Sequence, residues 1–210
     1  MAKDMTLLWG TGSCPCWRVM IALEEKSLQG YNHKLLSFEK MEHKSQEVLD
    51  INPRGQVGRR GLTDKEVQEN TSGHALLHLI GRTFLVNGPA EQALMYQRMF
   101  EGLTFYEKLN AVIYYDWYVP EGERHESALK RNKEALVTEL KLWESYLQKV
   151  CSYLAGPSFT LADVVVFPTV ERYPKLGEYY NLLKERPSVK ASWPPHWLEN
   201  PKGQDALKDI

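Results

Sequence analysis

The hydrophobic pattern changes period along the chain. Met5 to Trp9 is a short apolar run closed by Gly10-Thr11-Gly12-Ser13, and it reads as a buried strand followed by a breaker. Pro15 suits the first helical position, and Val19, Met20 and Leu23 recur at helical spacing, predicting a helix from Pro15 to about Lys26. Tyr31 to Phe38 fits a second strand, and Ser45 to Ile51 a short helix stopped by Asn52-Pro53. This βαβα order implies a parallel pair joined by a right-handed crossover, with chemistry expected where the first strand gives way to the first helix. Gly58-Arg59-Arg60-Gly61-Leu62 offers little apolar surface, so two short antiparallel edge strands around Leu62 and Val67, turned at Asp64-Lys65, are expected next. Ser72 to Ile80 returns to helical spacing through Ala75, Leu76 and Leu79, and Asn87-Gly88-Pro89 reads as a linker.

Beyond Pro89 only helices are expected. Ala90 to about Tyr118 forms one long helix with Met95, Met99, Leu103, Tyr106 and Leu109 on its apolar stripe. In Ser127 to Tyr153 the residues Leu136, Leu140, Trp143, Leu147 and Val150 alternate steps of four and three, and the two helices should pack as an antiparallel hairpin. Thr160-Leu161-Ala162-Asp163 has the form of a capping box opening a helix that Pro168 and Pro174 keep short. A helix from Tyr173 to Lys184 and an irregular tail from Pro187, fixed by Trp193 and Trp197, complete the reading. The expected architecture is a small α/β domain over residues 1–84 followed by an all-helical domain over residues 89–210.

Composition narrows the partners. The 210 residues are 43% hydrophobic and 25% charged, ordinary for a folded protein, and 26 Lys plus Arg nearly balance 27 Asp plus Glu. A net charge of -1 gives no bulk attraction for nucleic acid or an anionic membrane, so a small molecule or a protein is the expected partner. No stretch approaches the ~18 apolar residues of a membrane span, and the five-residue apolar run near the start is too short for a signal-peptide core. With Cys14, Cys16 and Cys151 as an odd set, a soluble cytoplasmic protein without structural disulfides is expected.

Ser13 and Cys14 occupy the strand-to-helix junction, where unpaired amides and the helix dipole favour negative charge. A thiol of pKa ≈ 8.5 must fall by about 1.5 to 2 units to ionise at pH 7, roughly 2 to 2.7 kcal/mol. The dipole supplies about 0.3 to 1 kcal/mol and a hydrogen bond to a charged group about 1.5 to 3, so a Ser13 hydroxyl and the helix together suffice. From position alone a plain turn or capping role is the favoured reading of Ser13 over a catalytic one, and Cys14 is a rival nucleophile. Cys14-Pro15-Cys16 lacks the two-residue spacer of a redox pair, and Cys16 and Cys151 read as small core residues. His74 and His78 are four apart on a predicted helix without a third ligand, so no metal site is expected.

The run Ser13-Cys14-Pro15-Cys16-Trp17-Arg18-Val19, followed by Glu42-His43-Lys44-Ser45 and Asn52-Pro53-Arg54-Gly55-Gln56-Val57, resembles the cytosolic glutathione S-transferases, most of all the rho class related to theta and zeta. Pro89-Ala90-Glu91-Gln92, Ala162-Asp163-Val164 and Lys184-Glu185-Arg186-Pro187-Ser188 extend the resemblance over nearly the whole chain. It implies a thioredoxin-like N-terminal domain that binds glutathione, an all-helical C-terminal domain that holds a hydrophobic electrophile, a homodimer, and a detoxifying transferase. By the same resemblance Ser13 activates the glutathione thiol, His43 contacts the glycine end, Gln56 and Val57 present the backbone to the cysteinyl group, and Thr71 and Ser72 hold the γ-glutamyl end.

Three departures accompany it. Gly58 stands where the family has a cis-proline, Thr71 where it has an acid, and roughly ten residues, about three helical turns, are missing between Phe167-Pro168 and Arg172-Tyr173. Each predicts weaker glutathione binding or activity. Two other readings stay open: a catalytically degenerate binding protein of the same fold, and a Cys14-dependent thiol transferase.

Overall fold

The computed structural model describes residues 5–57, 59–62, 84–149, 152–171, 176–194, 207 and 210. The chain divides into two compact units, residues 1–83 with 184–199 and residues 84–183 with 200–210. Among the described residues no helix is long and apolar enough to cross a membrane.

In the first unit β1 (Met5–Gly10) pairs in parallel with β2 (Asn32–Leu36), Leu7 opposite His33, and antiparallel with β3 (Arg59–Leu62), Leu8 opposite Arg59, giving the order β2-β1-β3. Leu7, Leu8 and Trp9 are all buried, as expected of a strand covered on both faces. The parallel pair is joined by α1 (Cys14–Glu25), so the expected crossover is present, with the helix starting one residue earlier than its proline suggested. α1 ends in a Schellman turn: Ser27 takes φ 51, its N–H donates to the Glu24 carbonyl, and the Leu28 N–H reaches back to Leu23. A short helix α2 (Gln46–Ile51) follows β2. The strand expected around Leu62 is present; the strand around Val67 and the helix from Ser72 lie outside the described residues.

The second unit opens with α3 (Pro89–Ile113) and a single turn α4 (Tyr115–Tyr118), which share the span expected of one helix. α5 (Glu126–Lys149) runs antiparallel to α3. Asn132 near its start donates to the Ala111 carbonyl near the end of α3, while Tyr146 near its end lies under the Arg98 guanidinium, 3.5 Å from ring centre. Between them Phe105 meets Trp143, and Glu139 accepts from Lys108 at 2.6 Å and from the Trp143 indole at 3.0 Å.

The buried stripe of α3 differs from the expected one. It runs Met95, Arg98, Gly102, Phe105, Leu109 and Val112, while Leu103 is exposed. Apolar residues alone do not mark this stripe, because the inward face includes a glycine, where a neighbour comes close, and an arginine that is buried over a tyrosine ring. The neighbour is α6 (Leu161–Val170), every residue of which is buried. A Cβ on Gly102 would stand 2.4 Å from the Val166 Cγ2 methyl. Gly102→Ala should therefore lower stability by about 1 to 3 kcal/mol through overpacking, outweighing the ~0.5 to 1 kcal/mol that alanine gains in a helix. Thermal denaturation checks this, and adding Val166→Ala should restore part of the loss.

The expected capping box opens α6. Asp163 Oδ2 accepts the Thr160 N–H at 2.8 Å and the Thr160 hydroxyl at 3.1 Å, the close approach that a shorter acid demands. Pro168 lies within α6 and does not end it. After α7 (Gly177–Lys184), the tail expected to be irregular begins as α8 (Pro187–Ser192), which belongs to the first unit. α8 packs on α1: Trp17 donates to the Ser192 hydroxyl at 3.0 Å and meets Trp193 edge-on at 4.8 Å, and Arg186 forks onto the Glu25 carboxylate. Trp197 lies outside the described residues.

Candidate functional site

The carboxyl ends of the parallel strands β1 and β2 mark the place where α/β sheets bind ligands, and the chain turns there after Gly10 and after Leu36. Ser13 is the N-cap of α1, with φ -89 and ψ 103 and a half-buried side chain. Its Oγ accepts the Cys16 N–H at 3.4 Å, and its carbonyl accepts from Cys16 and Trp17. The capping and catalytic readings of Ser13 are thus compatible. A hydroxyl that accepts at the helix start still has one proton to donate, toward an anion that the helix start favours.

The neighbouring thiols have a different character. Cys16 is 1% exposed, and burial pushes its thiol up to about 11, against bonds from Ser13 and the Gly10 amide that pull it down. A thiol of this kind stays protonated and inert. Cys14 is also buried, at 3% exposure, which leaves little access for an attack on a disulfide.

His43 comes to the same end of the sheet through Phe38. A Cβ on Gly10 would stand 2.4 Å from the Phe38 ring, and the same ring meets His43 edge-on with centroids 5.0 Å apart. His43 sits in a 3-10 turn, Glu42–Lys44, with Nδ1 buried and without a hydrogen-bond partner among the described residues. Burial, and then the Lys44 charge, hold its imidazole below the ordinary histidine range, so it is neutral at pH 7.

The loop carrying Gln56 and Val57 packs directly on this turn. Gly55 has φ 57, and a Cβ there would lie 2.7 Å from Lys44 Cδ and 3.2 Å from the His43 carbonyl, so only glycine gives both the backbone shape and the room. Asn52, 2% exposed, organises the loop: its Oδ1 accepts the Arg54 N–H at 3.1 Å in an Asx-turn and its Nδ2 donates to the Gln56 carbonyl at 2.8 Å. Lys44 adds a bond to the Arg54 carbonyl at 3.0 Å. Val57 is buried and the Gln56 side chain exposed. The Asn-Pro-x-Gly order, which reads as a helix stop, is also the sequence signal that the Asn52 side chain folds back on the backbone.

The structure therefore gathers His43 and the 52–57 loop, and links them through Phe38 to the strand end that leads into Ser13. Gly58, Thr71, Ser72, the pair His74 and His78, and Cys151 lie outside the described residues.

The family model described as the glutathione S-transferase C-terminal domain matches residues 94–193. Glutathione S-transferase A of Pleuronectes platessa is 61% identical over 225 positions that cover 100% of both chains. The crystal structure of a glutathione S-transferase from the Antarctic clam Laternula elliptica superposes with a TM-score of 0.83 at 32% identity, covering 99% of this chain and 100% of that one. A glutathione transferase from Phanerochaete chrysosporium, solved in complex with oxidized glutathione, matches with a TM-score of 0.70 at 25% identity over 91% of this chain and 95% of the other. With a small N-terminal sheet, a helical C-terminal half and a full-length relative at 61% identity, this chain belongs to the glutathione S-transferase family.

Proposed function

We propose that this protein conjugates glutathione to electrophilic small molecules. The thiolate sulfur attacks the electrophilic carbon, the new C–S bond displaces a leaving group with its electron pair or opens a strained or conjugated bond, and the thiol proton passes to solvent. Ser13 carries the reading: its oxygen accepts the Cys16 N–H, and its own proton, met only by the weakly accepting Cys16 sulfur, is available to the thiolate at a helix N-terminus. The neutral imidazole of His43 contacts the glycine end. The backbone of Gln56 and Val57 pairs with the cysteinyl amide, and Thr71 and Ser72 receive the γ-glutamyl end. No metal takes part.

The finer assignments belong to the same proposal. The protein is of the rho class, cytoplasmic and homodimeric, with residues 1–84 as its glutathione domain and residues 89–210 as its helical domain. An alignment of 225 positions against a chain of 210 residues leaves about 15 positions opposite gaps in this chain, in keeping with the shortening inferred after Phe167-Pro168.

Retention on immobilised glutathione, elution by free glutathione and turnover of a test electrophile check the proposal together. A protein that melts cooperatively but neither binds glutathione nor turns over the electrophile would instead be a degenerate member of the fold.

A further inference from the structure

Three hydrogen bonds form a closed circuit at the start of α1. The Ser13 N–H donates to the Gly10 carbonyl at 3.3 Å, the Cys16 N–H donates to Ser13 Oγ at 3.4 Å, and the Gly10 N–H donates to Cys16 Sγ at 3.5 Å. Two of these links use main-chain donors with a main-chain or Ser13 acceptor and persist whatever side chain stands at 16. The third exists only because residue 16 carries an acceptor at its γ position. We infer that Cys16 is a positioning residue for Ser13: its buried sulfur ties the Gly10 amide to the first turn of α1 and so holds the Thr11-Gly12 turn that aims the Ser13 hydroxyl.

The two bonds to oxygen are long and the bond to sulfur is intrinsically weak, and together they close a ring that one loose member opens. Without an acceptor at 16, the buried Gly10 amide has lost its partner, and the turn between Gly10 and Ser13 must shift to find another. Shifts of a fraction of an ångström at a hydrogen-bond donor are expensive for chemistry and cheap for ligand affinity. Sulfur also suits the task. The Ser13 hydroxyl is within hydrogen-bond reach of Cys16 Sγ, a neutral thiol that burial keeps protonated, so it is a weak acceptor that releases the Ser13 proton to a stronger, anionic one. Cys16 contributes no negative charge of its own at the helix start.

The inference rests on the proposal that Ser13 donates to the glutathione thiolate, and the test separates the two. Full-length wild type, Cys16→Ala, Cys16→Ser and Ser13→Ala are compared by thermal melt, by kcat and glutathione KM, and by the pH dependence of kcat/KM. Cys16→Ala should lower kcat about tenfold, leave KM within about twofold and move the apparent pKa of the bound thiol upward. Cys16→Ser, which restores an acceptor, should stay near wild type. A wild-type kcat and pH profile in Cys16→Ala overturns the inference, as does a Cys16→Ser variant as impaired as Cys16→Ala. If Cys16→Ala fails to fold, Cys16→Val fills the space without an acceptor and carries the same expectation. If Ser13→Ala leaves the pH profile unchanged, the Ser13 proposal has failed, and the inference on Cys16 is overturned with it.

Discussion

Ser13→Ala is expected to lower turnover of a test electrophile by about 10²-fold, because a hydrogen bond to a charged sulfur is worth about 1.5 to 3 kcal/mol and 2.7 kcal/mol is two orders of magnitude. Glutathione affinity should change little. His43 and the loop of Gln56 and Val57 lie on other elements, held by Phe38, Lys44 and Asn52 rather than by Ser13. The apparent pKa of the bound thiol should move back toward the free value of ≈ 8.5, so residual activity in the variant should rise with pH beyond the point where wild type has levelled off. Steady-state kinetics between about pH 6 and 9, a range that takes in both the lowered midpoint of roughly 6.5 to 7 and the free value of ≈ 8.5, separate this from a general loss of structure. Loss of the cap costs a further ~1 kcal/mol of stability, a drop of about 2 to 4 °C in Tm, too small to account for a hundredfold effect. An unchanged kcat would remove Ser13 from the mechanism.

Asp163→Ala should be the most destabilising of the substitutions considered, by about 3 to 5 kcal/mol, lowering Tm by roughly 10 °C. The carboxylate is fully buried and accepts four bonds: the Leu154 N–H and the Tyr179 hydroxyl on Oδ1, the Thr160 N–H and hydroxyl on Oδ2. Removing it strands two buried amides and a phenol and uncaps α6, which packs on α3 through Val166 and Gly102. Asp163→Asn keeps the shape but presents an NH2 group to two donors, and should fall between the two.

The pH dependence follows from the direction of the shift. Burial raises the Asp163 carboxyl above its ordinary value, and the four donors offset only part of that. A carboxyl raised in the folded state binds more protons there than in the unfolded chain. Its contribution to stability is therefore fullest below the ordinary carboxylate range and declines as pH rises through the raised folded value. Denaturant melts of wild type and Asp163→Asn across that range should show the slope in wild type and its absence in the variant.

Local order was readable wherever a short pattern carries its own cause. The strand before Gly10, the helix after Ser13, the parallel partner at Asn32–Leu36 and the capping box at Thr160 each follow from neighbours a few residues apart. The resemblance carried by Ser13-Cys14-Pro15 and Asn52-Pro53-Arg54-Gly55 led to the family that the full-length relative shows.

Other features required distant partners. The inward face of α3 is set by Val166 pressing on Gly102 and by Tyr146 under Arg98, and neither partner is visible from the α3 sequence. Residues 187–192 read as tail, yet they form a helix because Arg186 and Ser188 reach Glu25 and Ser192 receives the Trp17 indole, more than 160 positions away. At the site, the chain order of Ser13, His43 and Gln56 says nothing of their spacing. Phe38 joins the strand end to the histidine, and Gly55 lets the loop close on Lys44. Hydrophobic period and turn chemistry act over a few residues and are written in the chain itself, whereas close approach, buried charge pairing and the Gly10–Ser13–Cys16 circuit depend on which atoms meet once it has folded.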